Sequence, residues 1–220
     1  MLKIIHQDKT IIVLDKPAGI SVLHEGWDEN ALVLRKMLED KFGKIWVVHR
    51  LDKVTSGVVV FARTAEAHRH LNTQFERREI EKIYHAIVEN IPEWNEYTAH
   101  HMLHPNVGRK HRTVVDKNRG KQAETSFKII KRWHDHAWIE ARPKTGRTHQ
   151  IRVHLSTSGF PIVSDILYGA EKTELIDRAA LHAQNLSFVH PSTKERVNYT
   201  APFPEDFSKL IEKLESEFDQ

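Results

Sequence analysis

The chain has 220 residues, 40% apolar and 29% charged, an ordinary globular balance that excludes disordered and fibrous classes. It has no cysteine, which removes disulfide frameworks, thiolate nucleophiles and Cys-ligated zinc and suits a reducing cytoplasm. The net charge is only +3 and the apolar runs are short, far from the ~20 residues a membrane helix needs, and Met1–Asp8 does not have the pattern of a signal peptide. A soluble cytoplasmic protein with no membrane partner is expected.

Ile11–Leu14 reads as a short strand that ends in a turn at Asp15-Lys16-Pro17-Ala18-Gly19. Asn30 is placed to cap a helix carrying Ala31, Leu34, Leu38 and Phe42, with Gly43 as its stop. Gly57–Ala62 is a continuous apolar, β-branched run, the pattern of a buried strand, after which Thr64 caps a helix turning Leu71 and Phe75 inward. Strands are expected at Glu81–Glu89, Ala123–Trp133, Ala137–Ala141 and Leu181–Val189. Thr148 is expected to cap a helix running through Leu155 to Ser158, stopped by Gly159 and Pro161. Phe203–Phe218 is an acidic amphipathic helix with Phe207, Leu210, Ile211 and Leu214 on one face. Strands outnumber helices without alternating with them, which favours an α+β fold on a mainly antiparallel sheet. No repeat or Ser/Gly linker interrupts it, so one domain over residues 1–220 is expected. The lack of a heptad pattern or a spare amphipathic helix points to a monomer.

Charge is segregated along the chain. Between 104 and 122, read as a loop, Arg109, Lys110, Arg112, Lys117, Arg119 and Lys121 face the single Asp116. In the tail from 203 to 220, Glu205, Asp206, Glu212, Glu215, Glu217 and Asp219 oppose Lys209 and Lys213. The basic segment fits either a polyanion partner or an ordinary solvated surface.

The glycines never stand closer than seven residues apart, so the Gly-rich dinucleotide and P-loop motifs and the G-x-S-x-G elbow cannot occur. There are 16 histidines, but none forms H-E-x-x-H. On a helix, His149 and His154 would face directions about 140° apart. Capping or surface roles suit them better than a metal site.

Two segments concentrate chemistry. His49-Arg50-Leu51-Asp52-Lys53-Val54-Thr55-Ser56-Gly57 sets a carboxylate between basic and hydroxyl residues just before a buried strand, where a rigid element positions a loop. Alone, Asp52 could equally be a turn residue bonded by Thr55 and Ser56. Gly146–Leu155 puts His149, Arg152, Val153 and Ser156 on one helical face, expected to look outward, with Ile151 and Leu155 docking into the core. Arg147 and Arg152 beside a helix N-terminus suit an anion.

Together these segments resemble the RluA-type family of RNA pseudouridine synthases. The likeness is carried by His49-Arg50-Leu51-Asp52 with Thr55-Ser56-Gly57, Lys82-Ile83-Tyr84-His85-Ala86, Lys121-Gln122-Ala123-Glu124-Thr125, Gly146–Leu155, Leu181-His182-Ala183, His190-Pro191 and Ala201-Pro202-Phe203-Pro204. It runs in the family's order from about Leu14 to Phe207. Asn90 and Ser164 stand where the family has glycine, which would alter a turn at each. The S4 RNA-binding domain often found ahead of this catalytic domain is expected to be absent.

The resemblance implies a catalytic domain that isomerises uridine in ribosomal or transfer RNA stem-loops to pseudouridine, without metal or cofactor. The reaction breaks C1′–N1 and joins C1′ to C5, so it needs a carboxylate to attack C1′ or, in a competing route, C6, and a group to manage the C5 proton. The resemblance gives the first role to Asp52, makes Arg152 the cation keeping it ionised, and places Tyr84 on the uracil. By period two, Tyr84 could also be an ordinary strand residue sharing a face with Lys82, Ala86 and Val88. The base must be turned out of its stack, and the resemblance offers Arg50 as wedge or phosphate contact. His49, Leu51, Thr55, Arg147, His149 and Gln150 join it as RNA-binding candidates. If all six cations of the basic segment met single-stranded backbone, the log–log salt slope of binding would be roughly −4. A non-catalytic RNA-binding or chaperone module on the same fold is the alternative.

Overall fold

The computed structural model describes residues 2–24 and 32–218. In chain order the strands are β1 (Lys3–Gln7), β2 (Ile11–Lys16), β3 (Trp46–Val47), β4 (Ser56–Ala62), β5 (Glu81–Glu89), β6 (Glu96–Val107), β7 (Arg112–Val115), β8 (Lys121–Arg132), β9 (His136–Pro143), β10 (Leu181–Val189) and β11 (Arg196–Thr200). The helices are α1 (Leu34–Phe42), α2 (Ala65–Glu76), α3 (Gln150–Thr157) and α4 (Glu205–Phe218), with a 3₁₀ turn at Ile166–Tyr168. The α+β, mainly antiparallel reading holds, although the chain divides into two compact units: Met1–Lys82 with Ala183–Pro202, and Ile83–His182 with Phe203–Gln220. Strands β5 and β10 each carry the chain from one unit into the other.

In the first unit β2 lies antiparallel to both β1 and β4, β3 adds to β4, and β11 pairs with β10. Its core draws Ile11 and Val13 from β2, Val58, Val60 and Ala62 from β4, Leu71 from α2, and Leu186 and Phe188 from β10. The expected continuous apolar run is buried from Ser56 to Ala62, because a strand covered on both faces needs no polar alternation. Gly57 is obligatory there: it has φ 117°, and a Cβ would stand 2.0 Å from the carbonyl oxygen of Ala183. The Thr64 side chain accepts from the Ala67 N–H as the expected cap of α2. Gly43 ends α1, whereas the expected cap at Asn30 lies outside the described residues.

In the second unit β5, β9, β8, β6 and β7 follow one another as antiparallel neighbours. Phe207, Leu210 and Leu214 of α4 are buried, while Ile211 is partly exposed. Strand β6 was not legible in the sequence, since much of it is polar and partly exposed and only Ala99 and Leu103 are buried. For the same reason the 104–122 segment is not a loop. It comprises the end of β6, the turn at Gly108, strand β7, the turn at Asp116–Gly120 and the first two residues of β8.

The two departures from glycine both fall at left-handed backbone, Asn90 at φ 68° and Ser164 at φ 61°. Asn tolerates that region, and Asn90 Nδ2 donates to the Gly159 carbonyl at 3.0 Å. Ser164 offsets its strain by donating Oγ–H to the Ile176 carbonyl at 2.5 Å. Ser164→Ala keeps the Cβ and loses this bond, so thermal unfolding is expected to show a loss of about 1–2 kcal/mol. Ser164→Gly, which relieves the strain, is expected to be about 1 kcal/mol more stable than Ser164→Ala.

Candidate active site

In the first unit Asp52 sits, partly exposed, in the turn leading into β4, where the Thr55 N–H donates to the Asp52 backbone carbonyl at 3.0 Å. The turn is held from below by Lys16, whose role no local pattern announces. Its side chain is fully buried, and Nζ donates to the carbonyls of Pro17 and Ile20, each at 2.9 Å, and reaches that of Lys53 at 3.5 Å. The Gly19 N–H donates to the same Lys53 carbonyl at 2.7 Å, so a buried ammonium and a glycine turn (φ 87°) fix the residue beside Asp52. Leu51 is buried, Arg50 is exposed, and Thr55 is buried with an Oγ1 that has no hydrogen-bond partner among the described residues.

His49 faces its own unit. Its ring stacks on Phe75, with centroids 4.9 Å apart, and its Nε2 accepts the Val60 N–H at 3.1 Å. Protonation would break that bond, and burial together with nearby Lys82 pushes its pKa down to about 3. Burial likewise lowers the Lys82 ammonium to about 8. A histidine whose folded pKa lies below its unfolded value of 6.5 contributes stability fully at high pH and loses it as pH falls through 6.5 toward 3. At pH 5 the loss is about 2 kcal/mol relative to pH 8. His49→Gln retains an acceptor for Val60 and cannot titrate, so urea unfolding at the two pH values should show the wild-type difference reduced by about that amount.

In the second unit the expected outward face of α3 is corrected. Arg152 is buried, its side chain 6% exposed, and makes a bidentate pair with Asp165, 2% exposed, through Nε–Oδ2 and Nη2–Oδ1, each 2.7 Å. The helix is buried from Gln150 to Leu155 because it packs against strands on several sides, so a two-faced helical wheel misdescribes it. Thr148 is not its cap. His149 takes the capping position in left-handed conformation (φ 53°) with no side-chain cap bond. The loop is organised instead by buried Gln150, whose Oε1 accepts from Thr145 Oγ1 at 2.6 Å and the Arg147 N–H at 3.0 Å, while Nε2 donates to the Glu124 carbonyl and to Thr125 Oγ1. Gln150 is therefore a scaffold residue, and Arg147 is anchored by Nε to the Gln122 carbonyl at 3.1 Å. Tyr84 lies on β5 opposite Ala141, partly buried.

Tyr168 lies under the arginine, with the guanidinium carbon 4.9 Å from the ring centroid. Its hydroxyl accepts the Thr113 N–H at 2.8 Å and stands 2.8 Å from His149 Nδ1. Burial raises the phenol pKa, so the hydroxyl keeps its proton at neutral pH. Neither Asp165 nor Tyr168 is legible as a site residue in the sequence. The nearest signal is Ser164, which stands where the family has glycine, immediately before Asp165. The six cations of the basic segment are all exposed, and among the described residues only Arg119 of the six makes an ion pair, with Asp116 at 2.9 Å.

One group among the described residues has metal-ligand spacing: His6, Asp8 and His190, whose ligand atoms lie within 4.8 Å of one another. Its protons oppose coordination. His190 Nδ1 accepts the Ser192 and Thr193 N–H groups at 3.3 and 3.2 Å, so a neutral ring carries its proton on Nε2, which lies 3.0 Å from Asp8 Oδ2. No helix among the described residues is long and apolar enough to cross a membrane.

The family profile described as RNA pseudouridylate synthase matches residues 10–157. Over 97% of this chain and 73% of the relative, the sequence is 33% identical to ribosomal large subunit pseudouridine synthase D of Zymomonas mobilis. Over 94% of this chain and 96% of the relative, it is 36% identical to an uncharacterized RNA pseudouridine synthase of the same organism. Among solved structures, human RNA pseudouridylate synthase domain containing 1 superposes with TM-score 0.78 at 27% identity, over 93% of this chain and 84% of that one.

Proposed function

The chain belongs to the RNA pseudouridylate synthase family and is an RNA uridine isomerase, and we propose that Asp52 is its nucleophile, acting on a uridine turned out of structured RNA. Isomerisation leaves oxidation state unchanged: C1′–N1 breaks, C1′–C5 forms, the C5 proton leaves and N1 gains one. The carboxylate must be ionised to attack, and a site closed around a base removes the water that would stabilise it. In this reading Arg152 supplies the compensating charge and the Tyr84 ring stacks on the uracil, its hydroxyl handling the C5 proton.

The observation that carries the reading is the arrangement around Arg152. A guanidinium is buried and fixed on one edge by Asp165, over a Tyr168 ring whose hydroxyl receives the Thr113 N–H of the basic hairpin. Such a group is rigid enough to position an anion and cannot lose its charge. On Asp52's side, the Lys16 and Gly19 bonds to the Lys53 carbonyl give the carboxylate a firm base. Arg109, Lys110, Arg112, Lys117, Arg119 and Lys121 grip phosphates, Arg50 and Arg147 contact the backbone near the flipped nucleotide, Leu51, Thr55 and His149 are further RNA contacts, and His49 and Gln150, bonded within their own units, hold the loops that carry these groups. The substrate is ribosomal RNA, as the name of the Zymomonas mobilis relative says of that protein, and the enzyme works as a cytoplasmic monomer. Transfer RNA is the other substrate the resemblance allows. Mapping pseudouridines in total RNA from cells with and without the gene tests this directly. A site in ribosomal RNA that vanishes with the gene is expected, and an unchanged map would overturn the reading.

A further inference from the structure

Outside the Asp52–Tyr84–Arg152 set, Tyr168 touches both the arginine and the basic segment. Its ring lies beneath the Arg152 guanidinium, 4.9 Å to the centroid. Its oxygen receives the backbone N–H of Thr113, a residue of β7, which pairs with β6 and carries exposed Arg112 beside it. The 3₁₀ turn bearing Tyr168 starts directly after Asp165, Arg152's carboxylate partner, and the Tyr168 N–H donates to the Asp165 carbonyl at 2.9 Å. Ser156 Oγ donates to the Tyr168 carbonyl at 2.6 Å, tying the turn to α3 from the other side. One buried phenol therefore joins the arginine, the arginine's counter-ion and the strand that presents the cations.

We infer that Tyr168 is a positioning residue with two separable tasks, its ring seating the guanidinium of Arg152 and its hydroxyl docking the basic hairpin through Thr113. The inference rests on the proposed roles of Arg152 and of the hairpin. The two tasks use different atoms. A phenyl ring still offers its face to a cation, whereas only the oxygen can receive the Thr113 N–H. Without that oxygen the Thr113 N–H loses its partner and the hairpin its anchor, and His149 Nδ1 loses the same hydroxyl, which is why exchange at Thr113 and not KM alone reads the docking. Without the ring, the guanidinium loses the surface that fixes its plane, and a misplacement of about 1 Å costs catalysis heavily.

The experiment compares Tyr168→Phe and Tyr168→Leu with wild type, using total RNA from a strain lacking the gene as substrate and measuring kcat, KM, melting temperature and amide exchange at Thr113. Tyr168→Phe is expected to raise KM about tenfold with kcat within about twofold, and to speed exchange of the Thr113 amide. Tyr168→Leu should show the same KM defect and, in addition, a kcat lowered about tenfold or more. Loss of kcat in Tyr168→Phe equal to that in Tyr168→Leu, or Thr113 exchange unchanged by removal of the hydroxyl, would overturn the inference. So would kinetics that follow melting temperature alone. If wild type converts no uridine, the functional reading itself fails, and the exchange measurement still decides whether the hydroxyl docks the hairpin.

Discussion

Asp52→Asn is expected to abolish pseudouridine formation while leaving RNA binding nearly intact. The substitution keeps side-chain size at the turn, whose bond from the Thr55 N–H goes to the Asp52 backbone carbonyl and does not need the carboxylate. It removes the negative oxygen, and loss of a nucleophile lowers kcat by about 10⁴-fold or more. Affinity rests chiefly on phosphate contacts, so the dissociation constant for RNA should stay within about threefold of wild type. Single-turnover assays on RNA lacking the modification, with filter binding at fixed salt, measure the two quantities separately. Turnover of Asp52→Asn within an order of magnitude of wild type would exclude a covalent role for this carboxylate.

The second large effect is expected at the Arg152–Asp165 pair. Both charges are almost wholly buried and their two contacts are short and parallel. Removing one partner leaves the other charged and dry, a loss of about 3–5 kcal/mol, whereas replacing both by apolar groups of similar volume restores much of it. Arg152→Met and Asp165→Leu should each lower urea-unfolding stability by about that amount, and the double variant should recover at least about half of the loss. Recovery of folding should not bring recovery of catalysis, because the proposed role of Arg152 needs a permanent cation. Pseudouridine formation by the double variant at the wild-type rate would reduce the pair to a structural one. A double variant as unstable as the sum of the singles would show that the pair's surroundings, chiefly the Tyr168 ring, require the guanidinium itself.

What the sequence determined by itself was local in origin. The buried strand at β4, the Thr64 cap of α2, the limits of β5 and β10 and the amphipathic character of α4 each follow from short-range pattern or turn chemistry. So did the family, whose motifs lie in contiguous stretches such as His49–Gly57 and Gly146–Leu155. The tertiary structure decided what depends on neighbours distant in sequence. Strand β6 is held by its partners β7 and β8 despite a polar sequence, and no periodicity reveals a strand whose neighbours supply its stability. Helical periodicity presumes one solvent face and so places Arg152 outward, whereas it is buried. Here α3 packs among strands, and the burial of a charged residue became permissible only when Asp165, thirteen positions on, supplied both acceptors. The tasks of Lys16, His49, Gln150 and Tyr168 were hidden for the same reason. A polar side chain can be buried only where the fold delivers its hydrogen-bond partners, and those partners are fixed by tertiary contacts that local sequence does not encode.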